Sequence, residues 1–272
     1  MAVYDLNGNR SSAYALIGTD TDAYTIYGTK IYPDVDPYLP GRTLAFEDSF
    51  DGDSIDQLHW NIRDRIGNNG QLHYYRPDNS YIENGKLTFL AKKEEYGGRS
   101  WTSGLIESKN KMYWKYGRIE AKIKFPKVVG AFPAFWTMGN NDLQNPLCGE
   151  IDIVEIMPRS NPNMDRVYCN LWDCSKSSAT SLGNSYCVSS SIDDWHIYSM
   201  DWTKSYIAML FDNVEYHRWT FSDYDEAVIE RYHEPQYILL NLAIGGSGGT
   251  PSGDTTRMKM QVDWVRIYEP LE

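Results

Sequence analysis

The chain has no run of about 18 apolar residues, the length a helix needs to cross a bilayer, so no membrane-spanning helix is expected. Basic clusters are missing too: 26 Lys and Arg stand against 37 Asp and Glu, a formal charge of −11. A surface of that sign repels nucleic acid and anionic membranes, and neither is expected as a partner. There are only four cysteines, Cys148, Cys169, Cys174 and Cys187, and no CxxC pair. Zinc-binding patterns are thereby excluded, while free buried thiols and a local disulfide both stay open. The start of the chain, Met1 to Tyr4, lacks a positive region followed by an apolar one, so it carries no secretion signal as given. Helical periodicity is nearly absent, being confined to Asp223 to Glu230.

Aromatics and turn residues are abundant: 21 Tyr, 9 Trp and 21 Gly. Aromatics favour strands and also suit flat apolar ligands such as sugar rings. From Leu44 onward the chain reads as short strands between turns, among them Lys86–Ala91, Gly117–Phe125, Trp195–Trp202, Ile207–Phe211, Tyr237–Ala243 and Met260–Tyr268. The predicted fold is all-β, two antiparallel sheets packed face to face. At 272 residues one large sandwich accounts for most of the chain. The first 30 residues instead repeat Tyr-x-x-x-Gly every ten positions, from Tyr4, Tyr14 and Tyr24, and Pro33, Pro37 and Pro40 follow. Residues 1–40 are therefore read as an appendage or linker and 41–272 as the main domain.

One segment stands out, Cys148-Gly-Glu-Ile-Asp-Ile-Val-Glu155. Its aliphatics suit a buried strand, yet it carries three carboxylates that are costly to bury without partners. On a regular strand Glu150 and Asp152 share a face and Glu155 points to the other. An extra residue in a β-bulge at Ile153–Val154 would return Glu155 to the face of the other two. Upstream, Gly130 to Gly139 is aromatic-rich and would line a groove beside the acids.

These segments resemble glycoside hydrolase family 16, the laminarinase and lichenase group. The resemblance rests on PAFWTMG at 133–139, GEIDIVE at 149–155, YGRIEAKIKFP at 116–126, NLAIGG at 241–246 and MQVDWVRIY at 260–268, with FEDSFDG at 46–52 and YIENGKL at 81–87. It implies a β-jelly-roll sandwich of two curved antiparallel sheets, with a concave cleft for a linear polysaccharide. The Glu150, Asp152, Glu155 spacing matches the family's bulged active-site form, which makes the three acids one group. By that match Glu150 would be the nucleophile, Glu155 the acid/base with a raised pKa, and Asp152 the residue assisting between them.

The resemblance also implies that Trp136 stacks on a sugar next to the scissile bond and that Asn69 and Gln71 border the cleft, while His73 is a candidate to face it. Many laminarinases carry a His on the strand after the catalytic one, but Val167 to Trp172 has none. Asn170 is instead similar to the lichenase-type residue, with Trp172 filling the space, which raises mixed-linkage β-glucan beside β-1,3-glucan. The usual Trp just before the catalytic strand is missing from Leu143–Leu147. A structural calcium ion is implied at Asp263, the Gly85 turn carbonyl and Asp48, pinning the first strand to the last. No organic cofactor is implied. The Gly245–Gly249 loop, without a P-loop Lys, is expected at the cleft's rim, and His196 on an ordinary strand is expected to be structural.

The expected activity is that of a retaining endo-β-glucanase, with the polysaccharide as its one partner, acting as a secreted monomer. Two competitors are a galactan-cleaving relative of the agarase or carrageenase kind, against which the charge of −11 argues, and a jelly-roll lectin, against which the intact acid trio argues.

Overall fold

Period-two alternation sets the architecture. In Ala131–Gly139, Ala131 and Phe135 turn into the core while Phe132, Trp136 and Met138 stay partly exposed on the other face. In Gln236–Ile244 every residue is buried, with Ile238, Leu240, Leu242 and Ile244 in the core and the intervening residues on the opposite face. The computed structural model describes residues 41–270 except 69, 160–165, 179, 184 and 189–191. The Tyr/Gly repeat and the boundary expected near residue 40 lie outside the described residues.

The strands form two sheets, as expected of a jelly-roll sandwich. The seven-stranded sheet runs, in spatial order, Ser185–Val188, Arg166–Leu171, Ile151–Glu155, Ala131–Gly139, Gln236–Ile244, Leu105–Glu107 and Asn61–Ile62. The second sheet is eleven-stranded and centres on Gly117–Lys124, flanked by Trp195–Trp202 and Arg257–Tyr268. The core between the sheets buries large side chains completely, Trp60, Trp202, Phe89, Phe125 and Phe135 among them. Each such side chain contributes about 1.5–3 kcal/mol of apolar transfer free energy. The segment with helical periodicity forms one α-turn, Glu226–Ile229, continued by a 3₁₀ turn, Glu230–His233.

The first described strand, Leu44–Asp48, pairs antiparallel with Arg257–Tyr268 and sets Glu47 opposite Arg266. Arg266 Nε lies 2.7 Å from Glu47 Oε1 with both side chains buried. This ion pair ties the first strand to the last, the task the sequence reading gave to calcium. The residues named for that ion do not fit it. Asp263 sits at a register shift in the last strand, and its carboxylate is held by the ammonium groups of Lys86 and of Lys122, the latter at 3.3 Å. Asp48 accepts the Phe50 N–H at 2.9 Å and the Trp60 indole N–H at 2.8 Å. Calcium wants about six to eight oxygen ligands, and both of these carboxylates already have protein donors. Chelation with EDTA is accordingly expected to shift the melting temperature by less than about 1 °C, as follows when no ion binds the native state.

Candidate active site

The turn into the Ile151–Glu155 strand passes through Gly149, whose φ is +84° and whose added Cβ would meet Arg231 Cβ at 2.8 Å. Both the left-handed backbone and the crowding call for glycine. Glu150 then starts the face that Asp152 continues.

Between Asp152 and Glu155 the strand carries an extra residue in both ladders. Asp152 pairs with Trp136 and Val154 with Phe135 on one side, while Asp152 pairs with Asn170 and Glu155 with Tyr168 on the other. The bulge lets Ile153 and Val154, adjacent in sequence, both enter the core. It also brings Glu155 opposite Ala134, on the same strand face as the Trp136 that opposes Asp152. The consecutive aliphatics and the row of acids are two results of one bulge.

All three carboxyls titrate high. Burial raises Glu150 well above the usual range, and the nearby charges of Asp152 and Glu155 push it further. Glu155 is raised by burial and then by Asp152. Burial pushes Asp152 up to about 6, against hydrogen bonds from Trp172, Asn170 and Glu150 that favour its charge. Among these, Trp172 Nε1 donates to Asp152 Oδ2 at 2.9 Å and Asn170 Nδ2 reaches the same oxygen at 3.5 Å. The interaction between the two carboxyls raises Glu150 and lowers Asp152, which favours the proton on Glu150 and the charge on Asp152. Crowded carboxyls with different donor sets hold protons unequally, as general-acid chemistry near neutrality requires.

Beneath the acids lies Tyr232, fully buried and not singled out in the sequence. Its hydroxyl faces the Trp172 carbonyl at 2.6 Å and the Glu150 carbonyl at 3.1 Å, and accepts the Trp172 N–H at 2.9 Å. One side chain from a 3₁₀ turn thus fixes the backbone of both residues. Tyr232→Phe is expected to cost roughly 1–3 kcal/mol of stability and to lower kcat on the order of tenfold through misplacement. A variant that loses stability with kcat unchanged would deny the positioning role.

A groove of about 440 Å³ crosses the seven-stranded sheet at right angles to its strands, past Trp172, Glu150, Trp136, Leu239, Glu107 and Arg63. Three of its lining residues, Trp136, Leu239 and Glu107, are consecutive members of a register row, Asn170–Asp152–Trp136–Leu239–Glu107–Asn61, in which each residue is paired with the next across the sheet. Trp136 is partly exposed there, its indole N–H donating to Asn241 Oδ1 at 2.8 Å, while Asn241 Nδ2 donates to the Tyr75 hydroxyl at 3.1 Å. Neither Asn241 nor Tyr75 was picked out from sequence, although NLAIGG contains the first.

Other expected residues fall differently. Asn170 is buried behind Asp152, with its amide oxygen taken by the Ser181 hydroxyl, so it holds Asp152 and does not face the groove. Trp172 lines the groove and serves Asp152 as well. Asn69 lies outside the described residues. Gln71 accepts the Asn68 N–H at 2.8 Å and bridges to Gly245, which closes its own loop, and the groove is lined by Asn68 instead. His73 is completely buried and accepts the Ile244 N–H at Nδ1, at 2.9 Å. Burial takes its pKa down to about 4, so it is a neutral core residue. His196 is paired with Asp212 at 2.7 Å. The glycine loop borders a separate hollow of about 550 Å³ with Val129 and Arg159. Cys148 and Cys174 are buried thiols, raised by burial to about 12 and about 11.

Known proteins share this arrangement. The chain is 31% identical over 246 residues to the clotting factor G alpha subunit of Tachypleus tridentatus, covering 85% of this chain and 34% of that protein. It is 28% identical over 252 residues to a beta-glucanase of Rhodothermus marinus, covering 86% of this chain and 87% of that one. The laminarinase catalytic domain from Thermotoga maritima superposes with a TM-score of 0.76 at 29% identity, over 85% of this chain and 99% of that one. The chain thus spans about a third of one of these relatives and most of the others. The model of glycosyl hydrolases family 16 matches residues 68–266, which hold the acid trio, the groove floor and most of both sheets, and this chain belongs to that family.

Proposed function

We propose that the protein is a retaining endo-β-glucanase that cuts β-1,3 or mixed β-1,3/1,4 glucans within the chain. The observation that carries the reading is the bulge that turns Glu150, Asp152 and Glu155 to one face of one strand beside Trp136. Two glutamates flanking a shorter Asp can lean together over it, and retaining chemistry needs carboxyl groups about 5–5.5 Å apart. In the first step the proton that Glu150 holds passes to Asp152, and the freed Glu150 carboxylate bonds to the anomeric carbon. The glycosidic C–O bond breaks as Glu155 gives its proton to the leaving oxygen. Water then attacks the same carbon, yields a proton to Glu155, and the bond to Glu150 breaks as the proton returns to Glu150 from Asp152. A groove open across several strands suits an internal stretch of polymer better than a chain end. The names of the Rhodothermus beta-glucanase and the Thermotoga laminarinase support a β-glucan substrate.

The test is reducing-end release from laminarin, barley mixed-linkage glucan, agarose and carrageenan, with the first-formed anomer followed by NMR. Cleavage of a glucan with retention is expected. Cleavage of agarose or carrageenan alone, inversion, or no cleavage by the folded protein would overturn the reading.

A further inference from the structure

The groove is not uniform in charge. One end holds Glu150, the member of the acid trio that lines it. The other, three to four strands away along the register row, is about 14–19 Å distant at the usual strand spacing, and there the lining includes Arg63, Arg65 and Lys109. Among the described residues Glu107 is the one carboxylate lining that end, and it faces Arg63 Nη1 at 3.5 Å. One cation is thus partly offset and two are not. In a protein of formal charge −11 this is a positive patch set against the overall field.

Two of the three cations lie over aromatic rings. Arg65 lies over the Tyr75 ring at 5.4 Å, with Nη1 bonded to the Asn68 amide oxygen at 3.2 Å, and Lys109 Nζ lies over the Tyr237 ring at 5.5 Å. Neither has a carboxylate partner among the described residues' ion pairs. Arg63 Nε is a buried donor with no partner among the described residues. The Arg63 side chain as a whole is 42% exposed, and the planar fork of arginine matches a carboxylate or sulfate.

Resting on the glucanase reading for what fills the groove, we propose that the Arg63, Arg65 and Lys109 end binds an anionic substituent on the polysaccharide, several sugar units from the bond that is cut. The preferred substrate is then a β-glucan bearing acidic groups, carboxylate or sulfate, and not a plain neutral chain. The overall negative charge keeps such polymers from binding elsewhere on the surface and leaves this patch to set the register of the chain in the groove.

Binding can be read apart from turnover by calorimetry on the Glu150→Gln protein, with neutral laminarin, sparsely carboxymethylated laminarin and sparsely sulfated laminarin as probes. At low salt at least one acidic probe should bind about tenfold more tightly than the neutral one, the sum of a few partly exposed charge pairs. The better of the two identifies the group. The advantage should collapse in about 1 M salt, where the screening length is about 3 Å. It should also fall towards unity in Arg65→Gln/Lys109→Gln, which leaves the Arg63–Glu107 pair intact and so guards against misfolding. Equal affinity for all three probes, an advantage that survives salt, or one that survives the double substitution would overturn the proposal. Turnover of neutral laminarin or barley mixed-linkage glucan by the wild type decides the glucanase reading separately, so failure of one does not imply failure of the other.

Discussion

Glu150→Gln should lower kcat on the order of 10⁴-fold or more, as loss of a nucleophile does, and should make the protein harder to unfold at pH 7. The two effects have one origin. Burial and the charges of Asp152 and Glu155 raise the Glu150 carboxyl well above its ordinary range, so the folded state keeps a proton that the unfolded chain has given up. Stability therefore falls as pH rises from the unfolded pKa, about 4.3, through the folded one. Glutamine has no proton to lose and escapes that fall. It can still donate to Asp152 through its amide, and removing one acid eases the other two. For scale, Asp152 alone, at about 6 against an ordinary value of about 3.9, costs roughly 3 kcal/mol at neutral pH. The melting temperature of Glu150→Gln should exceed that of the wild type by several degrees at pH 7, and the gap should close by about pH 4, where the wild-type carboxyl is protonated in both states. A gap independent of pH would mean that the acids are not under electrostatic strain. A variant that still turns over would remove Glu150 from the chemistry.

What could be read in advance, and what could not, divides along the same physical line. The bulge was legible because Ile153 and Val154 both need the core, and a strand can satisfy two adjacent aliphatics only by inserting a residue. The strand at Trp195–Trp202 was read at its final bounds, since its alternation is local. Residues joined by sheet order were not legible. Tyr232 reaches the backbone of Glu150 and Trp172 from a turn 82 and 60 positions away in the chain. Lys86 and Lys122 close on Asp263 only because three strands meet in one register, and nothing in the last strand's sequence announces them. Arg63, Arg65 and Lys109 look like scattered surface cations until Asn61–Ile62 and Leu105–Glu107 are set side by side at the end of the groove. Asn170 misled for a related reason: its strand position was read correctly, but its amide is taken up by Asp152 and Ser181.

The buried Glu47–Arg266 pair yields the largest expected loss of stability. Both side chains are almost wholly buried, at 2% and 3% exposure, and Arg266 packs over the Trp264 ring at 3.9 Å. Glu47→Ala leaves a guanidinium in the sheet without its principal counter-charge, and breaking such a pair from one side costs about 3–5 kcal/mol. For a domain of this size that lowers the melting temperature by roughly 10 °C. The variant with both residues replaced, Glu47→Met with Arg266→Met, should recover most of the loss, because the burial cost of two charges disappears along with their attraction. The pair lies in the eleven-stranded sheet, away from the groove, so kcat measured well below the transition should stay at the wild-type value in the double variant. If Glu47→Ala lowers the melting temperature by less than about 2 °C, the first strand is held by its backbone ladder and its apolar residues Leu44 and Phe46, and the ion pair is dispensable.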